Sequence, residues 1–293
     1  MRNIHVTITN KDELIALYKK DMIDDNLSEK SIYSYQYVVE KFFRQYDRLE
    51  KLQLIEWRER LISTNKPSTV KQRITAMNRF LKYIKRYDLT LKQISVQKTF
   101  FLESMITLSE YQKMLDELDL YIHEKGDRCG SKRTLYILIK ILATTGCRIS
   151  EALQMRVRDI IDKDRGYADI YNKGKVRRIF IPLATQKALM PFLECREPLE
   201  KVFLSQYKES LSVKACEANM KYYAEKFFKP SIAKKWHPHA LRHFFSIHFL
   251  KKRPNDLALL SDLLGHSNIN TTRQYLTLTF CEQARIISAT VTW

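Results

Sequence analysis

No run of about 18 apolar residues occurs in this chain, so no stretch of it reads as a membrane-spanning helix. The start, Met1-Arg2-Asn3-Ile4-His5, lacks the long apolar stretch of a signal peptide. No basic amphipathic anchor or lipidation motif is present either. Together these absences point to a cytoplasmic protein. The five cysteines, Cys129, Cys147, Cys195, Cys216 and Cys281, form no C-x-x-C pair, which argues against zinc. Their odd number and an intracellular setting argue against disulfides, leaving them as small packing residues. No carboxylate cluster suggests a magnesium site, and there is no internal repeat or low-complexity tract.

Acidic residues are in short supply: 33 face 51 lysines and arginines, a formal net charge of +18. A folded chain with that excess implies a polyanionic partner, with nucleic acid the first candidate. Hydrophobic residues make up 45% of the 293, enough for a real core and for two ordinary domains.

The first third reads as helical. Asn10 with Glu13 resembles a capping box, and Ser28 can cap a second helix in which Ile32, Tyr35, Val39, Phe42 and Tyr46 share one face. A third helix is expected over Leu54 to Ile62. Pro67-Ser68 starts a fourth, with Ile74, Met77, Leu81 and Ile84 on one side. Its other side carries Lys71, Thr75, Arg79, Lys82 and Arg86, either a solvated face or a stripe that tracks phosphates. The segment Leu89 to Met105 lacks periodicity and reads as a linker. Thr107 and Glu110 form a second capping box that opens a new domain.

The remainder is mixed. Leu135 to Thr144 is an apolar helix broken by Gly146. Tyr167 to Tyr171 and Arg178 to Ile181 read as short strands around Lys173-Gly174-Lys175, a hairpin signal. Helices are expected over Thr185 to Cys195, Leu211 to Phe228, His239 to Leu250 and Asn255 to Leu264. Asn270 can cap a short helix containing Tyr275.

Six positions in this second part could carry chemistry: Arg148, Lys173, His239, Arg242, His266 and Tyr275. As a set they suit phosphoryl transfer without a metal, a reaction that runs on positioning and on stabilising charge at the non-bridging oxygens. Two arginines bind such oxygens bidentately. Histidines donate hydrogen bonds or shuttle protons near neutrality. A hairpin lysine can reach a leaving oxygen as a general acid. A tyrosine hydroxyl is a nucleophile once nearby cations favour phenolate. Singly, each has a plainer reading, such as a surface Arg–Glu pair for Arg148 and Glu151, or a helix cap for His266 after Gly265.

Their order is specific. Thr145-Gly146-Cys147-Arg148-Ile149-Ser150-Glu151 resembles the first-arginine motif of the tyrosine recombinases, the phage-type integrase family. Pro238-His239-Ala240-Leu241-Arg242-His243 resembles that family's His-x-x-Arg box. Leu263-Leu264-Gly265-His266-Ser267 through Thr271-Thr272-Arg273-Gln274-Tyr275 resembles its final histidine and nucleophile, nine residues apart. Asn172-Lys173-Gly174-Lys175 resembles its lysine hairpin. The resemblance runs from Thr107 to about Tyr275 and is closest to two-domain, Xer-like members. Less specifically, Pro67-Ser68-Thr69-Val70 and its helix resemble the family's core-binding domain.

The resemblance implies a mainly α fold with a small β-sheet. A helical core-binding clamp would occupy residues 1–95, a linker 96–106, and a catalytic domain with a C-terminal tail 107–293. It implies a site-specific recombinase that cuts and rejoins duplex DNA through a 3′-phosphotyrosine on Tyr275. Strand exchange would pass through a Holliday junction, as a homo-tetramer on two DNA sites, with no metal and no small-molecule cofactor. Arg148 and Arg242 would clamp the scissile phosphate, His239 and His266 would assist, and Lys173 would protonate the leaving 5′-oxygen, with Lys175 its rival. Glu151 would orient Arg148 or a neighbour, and His243 would support its helix rather than touch DNA. The same residues also serve topoisomerase IB-like strand passage or telomere-resolvase-like end closure. A DNA-binding protein without catalysis is the reading from another class. Three departures stand out. The residues before Met105 leave no room for an arm-binding domain. The hairpin is one residue longer to Pro182. The tail after Tyr275, Leu276 to Trp293, departs from the family's pattern, and its Ile286 to Val291 favours strand.

Overall fold

The computed structural model describes residues 11–95, 105–123, 130–162, 165–172, 175–205, 207–266, 268–276 and 287–291. The chain divides into two compact units, Met1–Thr99 and Phe100–Trp293.

The first unit is helical. Its elements are α1 (Lys11–Asp24), α2 (Glu29–Phe43), α3 (Lys51–Thr64), α4 (Pro67–Tyr83) and a short 3₁₀ turn at Tyr87–Leu89. Ser28 caps α2 by accepting from the Ser31 amide at 3.3 Å, and Pro67 occupies the first turn of α4, where its missing N–H costs nothing. The helical faces read from the sequence close on one core of Tyr18, Met22, Val39, Phe42, Leu54, Ile74, Met77, Phe80 and Leu81. Asn10 lies outside the described residues.

The linker reading does not hold at its beginning. Leu89 and Leu91 are buried in this core. The Asn78 side chain accepts the Leu91 N–H at 2.9 Å and donates to its carbonyl at 2.8 Å. Lys51 and Arg58 donate to carbonyls of Asp88, Thr90 and Lys92. From Leu91 to Lys92 side chains of α3 and α4, not a ladder of the segment's own, meet the backbone, which leaves no period to read.

The second unit comprises α5 (Leu108–His123), α6 (Ser131–Thr145), α7 (Ile149–Ala152), α8 (Val157–Ile161), β1 (Tyr167–Asn172), β2 (Lys175–Phe180), α9 (Leu183–Leu193), α10 (Val213–Phe227), α11 (Pro230–Ala233), α12 (Pro238–Lys252), α13 (Leu257–Leu264), α14 (Asn270–Arg273) and a 3₁₀ turn at Gln274–Leu276. The fold is mainly α with one small antiparallel sheet. β1 and β2 pair from Tyr167 against Phe180 to Asn172 against Lys175. The Thr107–Glu110 box forms reciprocally: Thr107 N–H donates to the Glu110 carboxylate at 2.8 Å, and Glu110 N–H to the Thr107 hydroxyl at 3.1 Å.

Helix α6 is the centre of the core. Leu135, Ile137, Leu138, Ile139, Ile141 and Leu142 are all buried, and each such side chain contributes roughly 1.5–3 kcal/mol. Helix α12 lies against it and is buried on two sides. Ala240, Leu241 and Phe244 join the main core. Leu250, with Phe245, Ile247 and Phe249, packs in a second cluster with Leu260, Leu264 and Tyr275.

Three local expectations are corrected. Asn268, not Asn270, caps α14: its side-chain oxygen accepts the Asn270 N–H at 2.8 Å. Tyr275 lies in the 3₁₀ turn that follows α14. In the tail, residues 287–290 form one helical turn, closed by the Val291 N–H on the Ile287 carbonyl at 2.9 Å. A local i→i+4 bond prevails there over the β-propensity of isolated residues, which is a weak and context-bound preference. Among the described residues, no helix is long and apolar enough to cross a membrane.

Candidate active site

Two glycines end the helices that frame the site. Gly146 closes α6 at φ +63°, and Gly265 closes α13 at the same φ. That left-handed conformation suits glycine. Space demands glycine as well: a Cβ on Gly146 would lie 2.3 Å from a Phe245 ring carbon. At α13, the His266 N–H reaches back to the Ser261 carbonyl at 3.0 Å, so the segment turns sharply and His266 leaves the helix axis.

Each helix end hands a carbonyl to an arginine. Arg242, only 2% exposed, donates Nη1–H to Gly146 O at 2.8 Å and Nη2–H to Leu264 O at 2.6 Å. Arg148 caps α7 and donates to Gly265 O at 3.4 Å. Helix C-termini carry partial negative charge, so they suit guanidinium groups.

Glu151 is the carboxylate of this cluster. Arg148 reaches it twice, by its amide at 2.7 Å and by Nη1 at 3.1 Å. Arg177, from β2, donates Nη1–H to both of its oxygens at 2.6 and 2.5 Å. Burial raises the Glu151 pKa, but the Arg148 amide and the Arg177 guanidinium outweigh it, and the carboxyl sits below the usual range. One carboxylate therefore faces three guanidiniums. The result shows on Arg242, whose pKa is pushed down to about 10 by burial and then by Arg148 and Arg177.

Helix α12 presents His239, Arg242 and His243 at i, i+3 and i+4, one face of a helix. The His239 and His243 rings meet edge-on, 4.2 Å apart. His243 Nδ1 lies 2.9 Å from the Tyr275 hydroxyl. Tyr275 is buried against Leu250, Leu260 and Leu264. His266 Nδ1 lies 2.8 Å from the hydroxyl of Thr272. Burial first, then the neighbouring cations and histidines, lowers the pKa of His239, takes His243 down to about 3 and His266 to about 4. These imidazoles are neutral at pH 7 in the free protein.

The structure thus gathers Arg148, Glu151, His239, Arg242, His243, His266 and Tyr275 around one site. Lys173 lies outside the described residues, as does the side chain of Lys175; the strands on either side of them are in place. His243, expected to support its helix rather than touch DNA, also reaches the hydroxyl of Tyr275. Arg177 and Thr272 escaped the sequence reading. Arg177 had a signal: it alternates with the buried Ile179 on β2, and a charge at an inward position asks for a partner. No pattern marks Thr272.

The basic stripe on α4 is less free than its sequence suggests. Arg79 donates to Asp25 at 2.6 Å and to Asp21 at 3.4 Å. Arg86 forms a two-pronged pair with Asp88 at 2.9 and 2.8 Å. The Thr75 hydroxyl donates to the Lys71 carbonyl and accepts from Gln93. Lys71 and Lys82 are exposed, with no ion pair among the described residues.

Residues 104–282 match the phage integrase family, more than half of the chain. This chain is a tyrosine recombinase of that family. The recombinase is 25% identical over 232 residues to tyrosine recombinase XerC of Treponema denticola, covering 73% of this chain and 74% of that one. To XerC of Bacillus subtilis it is 27% identical over 222 residues, 71% and 69% of the two chains. Identity rises to 31% with XerD of Staphylococcus epidermidis, over 147 residues that span about half of each protein, 47% and 48%. Two solved structures share its fold. The Tn1549 transposon integrase in complex with circular intermediate DNA has a TM-score of 0.72 at 18% identity, covering 94% of this chain and 98% of that one. XerH recombinase bound to a palindromic difH substrate has 0.70 at 23%, covering 97% and 84%.

Proposed function

We propose that this recombinase cleaves and rejoins duplex DNA through a covalent 3′-phosphotyrosyl bond to Tyr275. One observation carries the reading: Tyr275 meets His243 in a site where Arg148, Arg177 and Arg242 crowd around the single carboxylate of Glu151. A surplus of fixed positive charge is what a scissile phosphate, and still more its transition state, would neutralise.

In this scheme Arg148 and Arg242 hold the non-bridging oxygens. The Tyr275 oxygen attacks phosphorus, its bond to phosphorus forms, and the bond to the 5′-oxygen breaks. The tyrosine proton passes to a neutral imidazole, for which His243 is placed by its contact. The leaving 5′-oxygen takes a proton from the hairpin lysine, Lys173, with Lys175 as the other candidate. His239 and His266 donate hydrogen bonds to the phosphate. Anion binding raises the pKa of every imidazole near it, which favours the donor forms. Residues 1–95 act as a DNA clamp, with Lys71 and Lys82 the exposed cations of the α4 stripe. Strand exchange proceeds through a Holliday junction in a homo-tetramer on two sites, with two subunits active at a time.

The test is Tyr275→Phe. The variant should bind DNA within a few-fold of wild type and form no protein–DNA adduct that survives denaturation. An adduct on end-labelled duplex in the variant would move the nucleophile elsewhere.

A further inference from the structure

Arg177 stands outside the residues assigned to the reaction, yet it touches the segments that carry them. Its Nη1 donates to both Glu151 oxygens, and Glu151 holds Arg148. Its Nη2 donates to the Leu263 carbonyl, in the last turn of α13. Its guanidinium fills the space over Gly265, where a Cβ would lie 2.7 Å from Nε; His266 follows directly. Arg177 itself belongs to the hairpin strand that pairs with β1 up to Asn172 and Lys175. The side chain is 17% exposed and that of Glu151 2%, so this is not a marginal surface pair. A guanidinium that forks onto a carboxylate and a carbonyl is strongly directional.

We infer that Arg177 is a positioning residue that locks the lysine hairpin, Arg148 and the His266 loop into one frame. The inference rests on the recombinase reading above. Three segments far apart in sequence meet at one side chain: the loop and helix of Arg148, strand β2, and the end of α13. One brings a phosphate-binding arginine, one the hairpin lysines, one a histidine. All three must act on a single phosphate, and misplacement by 1 Å costs about 10²-fold in rate. Arg177 holds their spacing and leaves their chemistry to them. Because it acts on Arg148 through Glu151, its effect and that of Glu151 are one effect, not two.

The experiment measures single-turnover adduct formation at saturating DNA, on an end-labelled duplex that the wild-type protein has selected from a random-sequence pool. Binding to the same duplex is measured in parallel. Arg177→Gln should slow adduct formation by about 10²-fold and leave affinity within about threefold. Arg177→Lys should recover part of the rate, since one ammonium can keep Glu151 but cannot also hold the Leu263 carbonyl. The double variant Glu151→Gln/Arg177→Gln removes one carboxylate and one guanidinium together, so the net charge of the cluster is kept, which guards against a fold that simply fails. Its rate should stay within about threefold of the slower single variant, because coupled residues do not add. A wild-type rate in Arg177→Gln would overturn the inference. So would a double variant slowed by the full product of the two single effects, or losses of affinity and rate in equal measure. Tyr275→Phe keeps the two readings apart: an adduct there defeats the recombinase reading, whereas an undiminished rate in Arg177→Gln defeats only the role of Arg177.

Discussion

The α4 stripe and the site at the N-terminal half of α12 are both rich in cations, but they treat their charge in opposite ways. Arg79 on α4 is neutralised by Asp21 and Asp25, and Arg86, which lies past the end of α4 and not on the helix as its spacing suggests, by Asp88. Around α12, Arg148, Arg177 and Arg242 share Glu151, and Arg242 loses basicity to burial first and then to Arg148 and Arg177. A count of positive residues along a helix would rank the stripe first. What separates the two is charge left uncompensated in a confined space, which is costly to hold and is therefore kept for an anion. The sequence shows the number of cations and not the carboxylates that fold onto them, since Asp21 and Asp25 come from the end of α1 and the turn after it, over fifty positions away.

The comparison can be broken most forcefully at its two arginines. Arg242→Gln should lower adduct formation by roughly 10²–10³ or more, the usual consequence of losing one preorganised donor to a developing oxyanion. Arg79→Gln, in the same assay, should stay within about twofold, because the pair it loses is partly exposed and worth about 0.2–1 kcal/mol. Equal losses in the two variants would erase the distinction.

Salt sharpens it next. Lys71→Gln and Lys82→Gln should each flatten the slope of log affinity against log salt by about 1, one phosphate contact apiece. Arg79→Gln should leave the slope unchanged, since its charge is already spoken for by two aspartates. A flattened slope in Arg79→Gln would show that DNA displaces those carboxylates.

Protons give the smallest effect. His243 and His266 titrate at about 3 and about 4 when folded, against about 6.5 unfolded. Between those limits the unfolded chain binds protons that the folded chain refuses. Their contribution to stability is therefore complete above pH 6.5 and is lost as pH falls towards 4. Melting temperature should drop over that interval, and His243→Gln should make the drop shallower. DNA works in the opposite direction, since a bound phosphate raises both pKa values, and affinity should rise as pH falls towards the free-protein values of about 3 and about 4. A melting temperature equally sensitive to acid in wild type and variant would show that His243 is not shielded as described.

Much of this was legible beforehand. The helices of the first unit follow from apolar spacing, and the hairpin from a turn signal between alternating strands. That Arg148, His239, Arg242, His266 and Tyr275 lie near one another follows from the motifs that carry them. The misses have a common cause. Leu89 and Leu91 carry no period because the chain there is held by single contacts: Asn78 pairs with the Leu91 backbone, and Lys51 and Arg58 take the carbonyls of Asp88, Thr90 and Lys92. The link from Arg177 to Glu151 joins residues 26 positions apart, and that from Thr272 to His266 needs a turn that no pattern encodes. The resemblance gives His243 a supporting part in its own helix, and the partner it finds arrives from a 3₁₀ turn 32 positions later. Periodicity reports which face is buried; it is silent on which polar groups meet there.

The anchoring of Arg242 bears on how such a protein can diversify. Its two hydrogen bonds among the described residues end on main-chain carbonyls, those of Gly146 and Leu264. Every residue type supplies a carbonyl, so substitutions along α6 and α13 can accumulate, altering packing or the contacts made elsewhere on the surface, without moving the guanidinium. The vulnerable points shrink to Gly146 and Gly265, where the chain must turn through positive φ and where any side chain collides with Phe245 or Arg177. A lineage built this way can rewrite most of its surface, and with it the DNA it selects, while the reacting centre stays where it was.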